Sequence, residues 1–169
     1  MGNPIDDAFA AADAKAEYEK REKAEKERRS AIYSAQVEPL VQSYVEAVRA
    51  KAQEFYDHPR NTNKPAIMAA GNEITIRRAS AIGMQDRHIE VRFSRRDGKL
   101  SWKYEASPNL VHGGGYEIID HGENTFYVDD NDQLQVHNVR SPDHFARIVL
   151  DRFIHDCATD MAEAQTKQQ

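Results

Sequence analysis

Residues 87–107 read RHIEVRFSRRDGKLSWKYEAS. Ile89, Val91 and Phe93 alternate with Glu90 and Arg92, and Leu100, Trp102 and Tyr104 alternate with Ser101 and Lys103. A period of two on both sides of Asp97-Gly98 predicts a β-hairpin, because successive side chains of a strand point to opposite faces. A two-residue Asp97-Gly98 loop, or a four-residue loop about the same centre, pairs Phe93 with Trp102, Val91 with Tyr104 and Ile89 with Ala106, all on one apolar face. The other face then sets Arg92 opposite Lys103 and Glu90 opposite Glu105. Like charges directly opposite cost a few tenths to about 1 kcal/mol.

Three readings answer that arrangement. Glu90 leaning to Lys103 and Arg92 to Glu105 make a crossed quartet of exposed ion pairs. Charges on an edge hairpin also discourage strand addition by other chains. Finally, Arg92 and Lys103 join Arg95, Arg96 and Lys99 at the tip. Five such cations can meet phosphate or a carboxylate-rich protein surface.

Around the hairpin the pattern continues as strand. Ile74 and Ile76 alternate with Thr75 and Arg77, and short strands are predicted near 115–120, 124–129 and 134–139, with Gly-Glu-Asn and Asp-Asn-Asp as turns. Ser141 as N-cap, Pro142 in the first turn and Asp143 at the positive end open a last helix, 142–163. Ile148, Val149, Leu150, Phe153, Ile154 and Cys157 cover much of its circumference, so it is expected to be well buried, with MAEAQTKQQ as a fraying tail.

Upstream, DHPRNTNKP (57–65) is a loop by composition. Val37, Val41, Tyr44, Val48 and Phe55 recur every three or four residues, with Leu40 and Val45 widening the stripe, which predicts an amphipathic helix over 37–57. Pro39 restricts Glu38, so a break is expected near 36–38. Residues 4–30 predict a separate helix. Its apolar seam, Ile5, Phe9, Ala12 and Ala16, is short. The run KAEYEKREKAEKERR is polar all round, with Glu17–Arg21, Glu19–Lys23, Glu22–Lys26 and Glu25–Arg29 spaced i, i+4. This arm is either a solvated helix or a helix that meets a partner.

These elements give an α+β fold. An antiparallel meander sheet of five or six strands is packed on one face by the helix before it and by the C-terminal helix. Residues 1–30 form a charged helical arm and residues 31–169 the core domain. The face carrying Arg92 and Lys103 is left free.

The 169 residues carry a formal net charge of -5, against wholesale coating of nucleic acid. Residues 77–103 are rich in Arg and Lys and residues 105–163 in Asp and Glu, so a polarised molecule is expected unless folding interleaves the two. The single cysteine, Cys157, excludes an intramolecular disulfide and points to a reducing, cytoplasmic setting. No apolar run is of membrane-span length, so no membrane partner is expected. The first residues lack a secretion pattern, and Asp6 stands where myristoylation wants Ser or Thr.

No catalytic signature emerges. VHGGGY (111–116) has the HGGG run of oxyanion-binding loops, but no G-x-S-x-G turn accompanies it. Seven histidines show no diagnostic pair, although His112, His121 and His137 fall in or beside late strands and could converge with Asp129 or Glu123. DDNDQ (129–133) lacks the glycine and closing glutamate of a calcium loop and reads as a hairpin turn. No cofactor or metal is implied. Phe93, Trp102 and Tyr104 sit on the core face, which leaves few stacking platforms for single-stranded RNA. The leading expectation is a small cytoplasmic, non-enzymatic binding or adaptor protein that contacts a protein partner through the arm, the basic hairpin, or both. The alternative is a phosphate-contacting nucleic-acid module using Arg92, Arg95, Arg96, Lys99 and Lys103. A third expectation is a histidine- or metal-dependent hydrolase. Self-association through residues 5–16 or a sheet edge is also open.

Overall fold

A computed structural model of the chain describes residues 3–81, 84–107 and 115–167. The elements run α1 (Pro4–Asp57), β1 (Ala66–Ala70), β2 (Glu73–Arg78), β3 (Arg87–Ser94), β4 (Lys99–Ala106), β5 (Glu117–Val128), β6 (Leu134–Val136) and α2 (Pro142–Thr166). The six strands form one antiparallel meander in chain order. The fold is α+β, with a helical arm ahead of an open sheet and a helix after it.

The apolar alternation sets the layers. Ile74, Ile76, Ile89, Val91, Phe93, Leu100, Trp102 and Tyr104 are buried on one sheet face. Val41, Tyr44, Val48 and Ala52 of α1 and Phe145, Val149, Leu150, Phe153 and Cys157 of α2 complete the core against them. Aromatic edges lock the layers together: Tyr44 meets Phe145 at 5.5 Å between centroids and Tyr104 meets Phe153 at 5.7 Å. Ile148, expected in the core, is 41% exposed on the outer side of α2. The buried stripe continues instead through Met161 and Ala164, so the supposed tail is helical to Thr166. Ser141 caps α2 as expected, accepting from the His144 amide at 3.1 Å.

The hairpin register differs from the expected one by two residues. Ser94 pairs with Lys99, Val91 with Trp102 and Ile89 with Tyr104, around a four-residue loop, Arg95 to Gly98. A two-residue type I′ turn needs positive φ at both central positions. Only Gly98 has it (φ 59°), while Asp97 does not. A shift of two keeps every side chain on its face, so the rings stay inside and Arg92 outside. The like-charge question disappears: Glu90 stands opposite Lys103, His88 opposite Glu105 and Arg92 opposite Ser101.

Three other expectations are corrected. There is no break at 36–38, and α1 runs 54 residues straight through Pro39. Gly122-Glu123-Asn124 is not a turn but the middle of β5, which pairs with β4 over its first part and with β6 over its last. The strand AIMAA (β1) adds the sixth strand; it has no polar-apolar alternation and is rich in alanine, a poor strand former. The Asp-Asn-Asp turn is present, with Asp129 accepting from the amides of Asn131 and Gln133 at 2.9 Å each.

The basic and acidic segments interleave. Arg78 and Arg87 are register partners on the core face, two like charges side by side. Asp160 of α2 bridges them, pairing with Arg78 and bonding Arg87 at 2.8 and 3.1 Å. Arg87 also donates to Tyr104 at 2.6 Å, and Tyr104 donates to Asp156 at 2.8 Å. Arg78 further reaches the Cys157 carbonyl at 3.0 Å. Burial alone would raise the Asp160 carboxyl, but the two guanidiniums outweigh it and hold it below its ordinary value. Two arginines of the basic segment and an aspartate of the acidic one thus make a buried clamp for α2.

Candidate interaction surface

The two ends of the sheet nearest the arm grip α1. The β3–β4 tip reaches it first. Tyr33 donates to the Arg95 carbonyl at 2.6 Å, and the Arg95 guanidinium pairs with Glu38 and bonds Asn72 at 2.9 Å. The Tyr33 ring lies over Gly98, where a Cβ would come 3.7 Å from its hydroxyl. The β5–β6 turn is the second grip. Gln36 donates to the Asp132 carbonyl at 2.8 Å and accepts from the Leu134 amide at 2.7 Å, while Arg28 pairs with Asp132. Asp132 takes a left-handed φ of 59° to make that turn.

Ahead of Arg28 the helix leaves the body. At about 1.5 Å per residue, residues 4–27 extend roughly 36 Å. Every residue from Asn3 to Ala24 is exposed, including Ile5 (63%), Phe9 (68%) and Tyr18. Local ion pairs line its polar stretch: Arg21–Glu17 at 3.2 Å and Arg29–Glu25 at 2.6 Å as expected. Lys15–Glu19 at 3.9 Å and Lys23–Glu27 at 4.0 Å replace the expected Glu19–Lys23 pair. Glu22 takes the Tyr18 hydroxyl at 3.3 Å, in place of Lys26. Arg28 and Arg29, one turn further on, hold the Glu25 carboxyl down to about 2.

The five cations singled out in the sequence are largely engaged. Arg92 pairs with Glu90 and, at 3.3 Å, with Glu73. Lys103 meets Glu105 at 3.0 Å, and Lys99 meets Glu123 at 2.8 Å, a bond that raises the Lys99 ammonium above its ordinary value. Arg95 is bound to the root of the arm. Arg96 alone has no side-chain partner among the described residues. Arg92 and Lys103 come together with Glu90, His121 and Glu123 around a shallow depression of about 340 Å³ on the free face of the sheet. It holds both signs of charge, and the tip cations lie elsewhere.

The late histidines do not gather. His121 borders that depression as the register partner of Lys103, whereas His137 stacks on Tyr127 at 4.1 Å. His112 and the glycine run after it lie outside the described residues. Among the described residues no group of three or more His, Cys, Asp or Glu side chains is placed to hold a metal. Beside the sheet, His88 meets Glu105 at 2.8 Å and the edge of Tyr116 at 4.6 Å, while Arg77 and Tyr116 bond Asp86 at 2.6 and 3.1 Å. Burial works to raise Asp86, and those two bonds hold it below its ordinary value. These contacts close on one another.

Sequence reasoning missed the anchors of the arm. Gln36 and Glu38 lie where the sequence suggests a break and Tyr33 lies just ahead of it, so the three do not read as neighbours on one continuous helix. No described helix is long and apolar enough to cross a membrane. Comparison with family models, with curated proteins and with solved structures finds no match to this chain.

Proposed function

We propose that this protein is a non-enzymatic binding module of a reducing, cytoplasmic setting whose projecting N-terminal helix docks on a protein partner. The observation that carries the reading is the pair Ile5 and Phe9. These apolar side chains, one turn apart, stand exposed on a helix continuous with the core. Exposed apolar anchors at i, i+4 are the signature of a helix that lies in a groove. Asp6, Asp7 and Asp13 surround them, so the matching groove is apolar with a basic rim. The arm as a whole carries seven basic and eight acidic residues over 4–30 and is a poor match for a polyanion. The nucleic-acid reading has less support, because acids of the same fold occupy four of its five cations.

A photo-crosslinking side chain placed at position 9 of the full chain tests the proposal. The expected result is a discrete crosslinked protein that disappears when Ile5→Asp is added. The same probe at exposed Arg147 on α2 is expected to give none. Crosslinking that is equal at both positions, or indifferent to Ile5→Asp, overturns it. Salt-dependent retention on nucleic acid that weakens with Arg96→Ala would favour the alternative.

A further inference from the structure

We infer that β1 is the interface of a two-fold dimer, in which the sheet of one copy continues into the sheet of a second. The two edges of the sheet are treated differently. At β6 the outer edge is covered by α1, since the Leu134 amide is taken by the Gln36 side chain at 2.7 Å. At β1 nothing among the described residues pairs with the outer edge. An uncovered edge offers a row of unpaired amides and carbonyls, and edges kept apart from other chains carry lysine, proline or a bulge. AIMAA carries none of these, and Met68 is 55% exposed at its centre.

The sequence around β1 selects a second copy as the occupant. Antiparallel pairing about Met68 sets Met68 against its own counterpart, Ile67 against Ala69 and Ala66 against Ala70. No charges are opposed within the ladder. The flanking charges are of opposite sign, Lys64 before the strand and Glu73 after the turn, so the same register brings Lys64 of each copy towards Glu73 of the other, twice. Parallel pairing would bring like charges together. The ladder is also bounded: Pro65 precedes it and Gly71, with φ 57°, turns the chain after it. Among the described residues each molecule has one bare edge, so pairing closes at two and does not run on into a fibre. Five residues a side make a small contact by the standard of stable interfaces, and the association is accordingly concentration-dependent.

Sedimentation equilibrium on the full chain over a concentration series is the test. The weight-average mass is expected to rise from 19.2 kDa towards twice that value. Met68→Lys and Met68→Glu, both on an exposed side chain, each place like charges face to face and are expected to weaken association about tenfold. An equimolar mixture of the two variants is expected to restore it. Phe9→Lys, on the arm, is expected to leave it unchanged. A monomer at every concentration, a dimer indifferent to position 68, no recovery on mixing, or loss of the dimer with Phe9→Lys overturns the inference. Binding of a foreign strand by a chain that stays monomeric overturns it equally.

Discussion

Trp102 lies across a residue that has no side chain. A Cβ at Gly122 would fall 2.6 Å from its Nε1 and 2.9 Å from its Cε2. Elsewhere Gly→Ala in a strand gains about 0.4–1 kcal/mol by restricting the unfolded chain. Here an indole in the core must move, and overpacking costs about 1–3 kcal/mol. Gly122→Ala is therefore expected to lower the stability, with a shift in emission from this single tryptophan. Urea unfolding followed by fluorescence reads both, and a gain in stability would refute the packing argument. Asp160 makes a second case. It answers two buried guanidiniums, and removing one partner of a buried ion pair costs about 3–5 kcal/mol. Asp160→Asn is expected to lose at least about 3 kcal/mol near neutral pH. The pH dependence follows from sign. The folded carboxyl sits below its ordinary value of 3.8, so its stabilisation is complete above that value and fades as pH falls through the folded one. The variant and the parent should thus differ most near neutrality and converge in acid. A constant gap across the acid limb would count against this role.

At the scale of elements, the apolar alternation made three strands and their faces legible, because burial on one side leaves a period that nothing else produces. The α2 cap was legible for the same reason: Ser141-Pro142-Asp143 has local chemistry that needs no partner. What the sequence concealed was tertiary. The hairpin loop could close at two positions with the same alternation, and only the φ of Asp97 and the seat of Gly98 under Tyr33 distinguish them. Gly122 read as a turn signal because a glycine that begins a turn and one that lies under a ring look alike in a string. Of the candidate site, the exposed arm was legible from its charge pattern, but the acids that occupy the cations come from distant segments. Pro39 read as a break because proline removes one helical hydrogen bond and crowds the preceding turn. The helix persists because Tyr33, Gln36 and Glu38 are all pinned to the sheet just before it and the buried stripe resumes at Val41. Pro39 is exposed, so its ring fills no place in the core. Pro39→Ala is thus expected to raise stability by about 1–3 kcal/mol, visible as a higher Tm. A fall would mean that the proline sets a bend the fold requires.

The whole molecule is a small body with a lever. A 54-residue helix is about 81 Å long, whereas a compact chain of this size has a radius of gyration near 15 Å. Among the described residues no side chain ahead of Glu25 is hydrogen-bonded or ion-paired to the body, and the first such link is Arg28 with Asp132. The arm therefore draws its order from its own ion pairs, worth about 0.2–0.5 kcal/mol each, and from the clamp that continues it. Two consequences can be separated by one deletion. Removing residues 1–24 leaves Glu25, Arg28 and both grips in place, so the unfolding free energy of the body is expected to change by no more than about 0.5 kcal/mol. The same deletion removes roughly 31 Å of helix from one end, and solution scattering is expected to show the maximum dimension shorten by about that amount. An arm folded back on the sheet would give the reverse pattern, a body that loses stability and a particle whose length hardly changes. Stability and length must move independently for the helix to act as a rigid extension, and that independence is what holds Ile5 and Phe9 at a fixed distance from the sheet, as the proposed docking requires.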